Sequence, residues 1–250
     1  MIDVLPPAGP PGPVLFARYA YPPNRLGLCG PADAPALHGG AIEGDEGELR
    51  ELARGFEGAY PYLQLIADQA GLEDPLDRRV VEAYWLGNHL SARVRPRALD
   101  RDLRSRFRAR MSGRDWGWLQ LAVEGGSHPV HAFHVLEVFP RAGLMRGSEA
   151  PILETMDACR IRWGTVIDVE RGTLVVMAPR LELEDGKLRI GSPQPETVTA
   201  WRDSGEPPAD LLGATVALHW GWACDRLSPR QLDGLVTWTA RALAIANQAI

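Results

Sequence analysis

The chain has 250 residues, 45% of them hydrophobic, and its 27 Lys and Arg stand against 32 Asp and Glu for a formal net charge of −5. That length can bury one large core or two modest ones, and the mildly acidic balance argues against nucleic acid or an anionic membrane surface as the main partner, leaving a protein or a small ligand. No apolar run approaches the ~20 residues of a bilayer span, the start MIDVLPPAGPPGPV is no secretory signal, and three cysteines make no disulfide framework, so a cytoplasmic protein with free thiols is expected.

Residues 1–14 read as a flexible Pro/Gly-rich leader. Phe16–Pro31 (FARYAYPPNRLGLCGP) mixes aromatic residues with Pro, Asn and Gly as an ordered loop does. From Glu46 to Ala70 the residues Leu49, Leu52, Ala53, Phe56, Tyr60, Leu63 and Ile66 recur at helical steps. This predicts an amphipathic helix, broken near Gly58 or Pro61 and capped by Gly71. A second helix is expected from Asp74 to about Arg93, a third beyond Leu99, and a strand over Val130–Pro140, which is rich in β-branched and aromatic residues.

The composition changes at Arg141–Pro151, taken as a linker between domains. Beyond it RIRWGTVIDVE, GTLVVMAPRLELE and GKLRIGSP are short alternating segments. They are divided by turns at Arg171-Gly172 and Asp185-Gly186, as in a small antiparallel barrel. A loop containing Pro195, Gly205, Pro207 and Pro208 precedes one more strand, ATVALHWGWA. Ser228-Pro229 then starts a closing helix.

Two segments carry the sharpest pattern, Cys159-Arg-Ile-Arg-Trp-Gly164-Thr-Val166 and Gly213-Ala-Thr-Val216-Ala-Leu-His219-Trp-Gly221-Trp222-Ala223. With the intervening strands and the final helix, they resemble the HypC/HupF assembly chaperones of [NiFe]-hydrogenase. The whole chain, through FARYAYPPN and CRIRWG, looks like an uncharacterised bacterial family found among hydrogenase genes. The resemblance implies a small OB-like β-barrel that transiently carries an iron fragment with cyanide and carbon monoxide ligands. It makes Cys159 and His219 the metal ligands and the hydrogenase large subunit, or another maturation protein, the partner. A soft thiolate beside an imidazole suits such iron. Three features depart from the pattern: Cys159 is internal, Trp163 replaces a proline, and Leu181–Leu212 is longer.

Trp163, Gly164, Trp220, Gly221 and Trp222 are candidates for partner binding. Trp163, Trp201, Trp220 and Trp222 are too many large aromatics for one small barrel to hide, so Trp220 or Trp222 is expected to be exposed. On a strand, His131 would face away from His128 and His134, which leaves His134 as a secondary candidate near Cys159. Cys29, in the aromatic and proline loop, is the other, and Cys224 should point away from His219. The expected fold is thus α+β: a mainly helical domain over 15–145, then a HypC-like barrel with a C-terminal helix over 150–250. The expected function is a non-enzymatic hydrogenase-maturation factor. The alternatives are a thiol enzyme with Cys159 as nucleophile and His219 or His134 as base, and an interaction module without chemistry.

Overall fold

The computed structural model describes residues 9–142, 152–170, 172–201 and 209–248. The expected leader's first eight residues and most of the expected linker, 143–151, lie outside the described residues.

Helices build the first part: α1 (Gly12–Asn24), α2 (Ala34–Glu43), α3 (Glu46–Arg54), α4 (Tyr60–Ala70), α5 (Arg78–Trp85), α6 (Pro96–Phe107) and α7 (Gly113–Glu124). Short polar side chains start several of them, with Asp33, Asp45, Asp77 and Ser112 each accepting a first-turn N–H. The break between α3 and α4 and the left-handed Gly71 cap fall where the sequence places them. Asp77 rather than Asp74 caps α5; Asp74 accepts the Leu76 N–H in a turn ahead of it.

Two expectations are overturned here. Phe16–Pro31 is not mainly a loop, because α1 runs through it to Asn24. Pro13 suits its first turn, Val14–Ala17, Tyr19 and Ala20 are buried, and Pro22 and Pro23 fall only in the last turn. Val130–Pro140 is not a strand: α8 (His131–Phe133) opens into a π-helical turn over His134–Val138 and continues as α9 (Phe139–Ala142). Every residue from Val130 to Val138 is buried. A short run apolar on all sides carries no period to separate helix from strand.

The second part begins with α10 (Ile152–Cys159), so Cys159 closes a helix just ahead of the first strand. Strands follow: β1 (Arg162–Glu170), β2 (Thr173–Glu184), β3 (Lys187–Ala200), β4 (Thr215–His219) and β5 (Trp222–Arg226). The segment ATVALHWGWA, expected as one strand, is the β4–β5 hairpin, and Pro195 lies within β3 rather than in a loop. The order β1-β2-β3-β5-β4 closes on itself through antiparallel β1–β4 pairing and one parallel contact, β3–β5. Alternate residues, among them Val166, Val176, Val198, Val216 and Leu218, fill its interior. Finally α11 (Pro229–Ala246) starts with a reciprocal capping box between Ser228 and Gln231.

A second, larger apolar cluster extends from Val14 in α1 through the helices to Ala217, Trp222 and Cys224 on the sheet and Ala246 in α11. Helices and sheet therefore share a core, and the chemistry lies within it. Among the described residues no helix is long and apolar enough to cross a membrane.

Candidate metal centre

The last carbonyls of a helix lack intrahelical donors, and in α10 the rest of the fold supplies them. The β4–β5 turn puts Trp220 at φ 48° and Gly221 at φ 76° between paired His219 and Trp222. This is the tight two-residue hairpin geometry that favours left-handed residues. A tryptophan is rarely held there. Its N–H donates to the Ala158 carbonyl at 3.0 Å, fixing the hairpin tip, and with it His219, against the end of α10.

Beyond Cys159, Arg160 is fully buried and donates to Asp157 Oδ1 and to the Pro179 carbonyl, while Asp157 Oδ1 also accepts the Leu181 N–H at 2.7 Å. The helix end is thereby tied to β2 at its register shift. Burial pulls the Arg160 guanidinium down to about 10, with Asp157 acting in the opposite sense.

His131 enters from α8. A carbonyl can only accept, so its Nε2–H donates to the Cys159 carbonyl (2.8 Å), and Nδ1 then accepts the Tyr84 hydroxyl (3.1 Å). His219 Nδ1–H donates to the Tyr19 carbonyl at 2.6 Å. That carbonyl is available because its helical donor would be residue 23, and proline has no N–H. The tautomer of His219 follows: Nε2 carries a lone pair, is buried and has no hydrogen-bond partner.

Side-chain ligand atoms of His131, Cys159 and His219 all lie within 4.8 Å of one another. Around them Trp85 packs at 4.7 Å from His131 and 5.8 Å from His219, and Tyr19 stacks on Trp85. Burial pushes His131 down to about 3, with His219 adding to the effect, and His219 down to about 4. Burial also raises the Cys159 thiol well above its ordinary range. The cluster is thus a neutral set of two imidazoles and one thiol in an apolar wall, where a cation would displace the thiol proton and meet the free Nε2 of His219, while His131 would have to give up its bond to the Cys159 carbonyl or to Tyr84 before it could ligate. The Tyr19 carbonyl, accepting from Nδ1–H of His219, is the outer hydrogen bond that orients a metal-binding imidazole, whereas both nitrogens of His131 are already engaged, by the Cys159 carbonyl and the Tyr84 hydroxyl.

The structure brings Cys159 and His219 together as the sequence pairing implies, and adds His131, which strand alternation had turned away. His134 does not join the Cys159 cluster; its Nδ1 pairs with the Tyr62 hydroxyl at 3.1 Å, and Arg106 lies over the Tyr62 ring at 4.2 Å. His128 bonds the Ser91 carbonyl. Cys29 is exposed after α1, and its carbonyl accepts from Asn24. Cys224 lies outside the cluster, its thiol 3.7 Å from the Trp222 carbonyl.

Of the residues expected to meet a partner, Gly221 is exposed and Gly164 is buried. A Cβ on Gly164 would approach Ala178 Cβ to 3.1 Å, so that glycine serves strand packing. Neither Trp220 nor Trp222 is exposed, against expectation. Trp222 is 6% accessible, covered by Tyr21 and Trp201, while Trp163, beside Arg160, and Trp220 are half-buried. The helical part supplies the cover that an isolated barrel would lack.

A comparison with curated proteins finds no match, and neither does a comparison with solved structures. A family model described as a family of unknown function, DUF6390, matches residues 8–250, and the chain belongs to that family.

Proposed function

We propose that this protein is a non-enzymatic accessory factor in metal-centre assembly, holding its metal through Cys159 and His219, with His131 able to join them once its bond to the Cys159 carbonyl is released. The observation that carries the reading is the buried His–Cys–His set itself, with ligand atoms within 4.8 Å of one another, together with the buried, unpartnered Nε2 of His219. A buried polar atom without a partner is costly, and a metal would satisfy it. The resemblance of the Cys159 and His219 segments to the HypC/HupF chaperones makes [NiFe]-hydrogenase the centre being assembled and an iron fragment with cyanide and carbon monoxide ligands the cargo. It makes the large subunit or the iron-loading protein the partner. Thiolate sulfur suits low-spin iron bearing π-accepting ligands.

The electrostatics weigh against the thiol-enzyme alternative. A catalytic cysteine needs its thiolate stabilised, whereas the Cys159 thiol is pushed up and its imidazole neighbours are held neutral.

The test is anaerobic purification from a hydrogenase-expressing host, followed by infrared spectroscopy and elemental analysis of the wild type, Cys159→Ala and His219→Ala. Cyanide and carbonyl stretching bands in the wild type, lost in both variants, are the expected result. Stoichiometric metal without such bands would leave a metal centre and remove the iron-fragment cargo. No metal under any condition would sink the proposal.

A further inference from the structure

The chain is acidic as a whole, but residues 93–114 hold nine arginines and two aspartates, a local charge of +7 that leaves −12 for the rest. On α6 the buried residues are Leu99, Leu103 and Phe107, so the opposite side of the helix is set by packing. Arg97, Arg101, Arg104 and Arg108 fall there, all exposed and spaced three or four residues apart. They form one stripe about 16 Å long at 1.5 Å per residue.

Like charges at this spacing cost a helix a few tenths of a kcal/mol per pair; Arg104 and Arg108, at the far end of the stripe, are partly offset by lying over Trp116, while Arg97 and Arg101 at its head have no such partner among the described residues. Among the described residues, ion pairs in this segment involve only Arg104 with Asp100 (3.6 Å) and Arg106 with Asp102 (2.8 Å). At the head of the stripe a cavity of about 620 Å³ is lined by Gln69, Arg95, Pro96, Arg97, Ala98 and Arg101. Arg95 there is held by Gln69 at 3.0 Å, with no carboxylate.

We infer that this face of α6 is a docking surface for a carboxylate-rich segment of a partner protein. Guanidinium forks match carboxylates in bidentate geometry, and a row with one-turn spacing meets an acidic helix or strand along its length. The cavity beside Arg95, Arg97 and Arg101 receives one of its side chains. The remaining net charge of −12 disfavours a long polyanion such as RNA, which would extend beyond the stripe. The inference is independent of the metal reading, because the stripe shares no residue with the His–Cys–His set.

The test uses the full chain and a fluorescein-labelled glutamate-rich peptide, read by anisotropy at low and high salt. Arg95→Gln/Arg97→Gln/Arg101→Gln should weaken binding by at least about tenfold, and added salt should weaken the wild type similarly. All three sites are exposed, so the melting temperature should hold. An equal charge change on the sheet, Arg180→Gln/Arg189→Gln/Arg226→Gln, should leave affinity within about twofold. Equal losses in both triple variants, or none in the first, would overturn the inference. So would tighter binding of inorganic phosphate or a single-stranded oligonucleotide than of the peptide at the same salt.

Discussion

At the residue scale, the buried titratable groups pull stability in opposite directions as pH changes. His128, His131, His134 and His219 are all lowered by burial, so the fold holds them neutral while an unfolded chain would protonate them near 6.5. Each therefore withdraws stability as pH falls below about 6.5. Glu137 has the opposite sign. Fully buried, with Ser127 its one hydrogen-bond donor among the described residues, its carboxyl is raised by burial from 4.5 to about 8. The unfolded chain gives up that proton first, so stability is lost as pH rises from about 4.5 to about 8. Asp102 and Asp225, also raised by burial, act in the same sense as Glu137; the four imidazoles oppose them on the acid side, and Glu137, raised to about 8, carries the decline above neutrality. Half-protonated at about pH 6.5, four unfolded imidazoles still outweigh one proton on Glu137, so urea unfolding of the metal-free protein should show maximal stability at about pH 7. Glu137→Gln should flatten the decline toward pH 8, a decline of at most about 1.36 kcal/mol per pH unit. An unchanged alkaline slope in that variant would mean that Glu137 is ionised in the fold.

At the scale of elements, much of the architecture is legible because helix starts and hairpin turns have local causes. Ser228-Pro229 starts α11, Asp185-Gly186 closes β2 onto β3 with both residues at positive φ, and Gly71 caps α4. The Cys159 and His219 pairing is legible too, as two motif segments. His131 is not, since its orientation depends on α8 passing into a π-helical turn inside a run buried on every side. The role of α1 was hidden for a different reason: its Pro22-Pro23 pair reads as a loop signal. Yet Pro23 withholds an N–H from Tyr19, and the freed carbonyl sets the His219 tautomer. Pro23→Ala should restore the helical donor and compete with His219. Divalent cobalt or zinc titrations of that variant should show metal affinity reduced by ~10–100-fold, the usual effect of losing an outer-shell partner, with no loss of thermal stability. Unaltered affinity would show that the Tyr19 carbonyl does not orient the ligand.

At the scale of the whole molecule, the compositional change at Arg141–Pro151 suggests two units, but composition cannot report which surfaces face each other. The three donors come from both sides of that change, His131 from α8 and Cys159 and His219 from α10 and β4. Trp222 lies under Tyr21 of α1. In α11, Gly234 sits so near the end of α5 that a Cβ would come within 2.5 Å of the Gly87 carbonyl, and Trp238 occupies the space a Cβ on Gly87 would need. A fragment of residues 150–250 would therefore expose Trp222, Leu235 and Trp238, which are buried in the full chain, each worth about 1.5–3 kcal/mol of burial. Against a typical domain stability of about 5–15 kcal/mol, that loss is large enough to decide the outcome. The fragment should bind a hydrophobic dye, lack a sharp thermal transition and fail to take up metal. The full chain should unfold in one step, with circular dichroism and tryptophan fluorescence tracing the same curve. A fragment that melts sharply at the temperature of the intact protein would show instead that the sheet and α11 are self-sufficient. The helical part would then be an attached cover that supplies His131, rather than half of one cooperative structure.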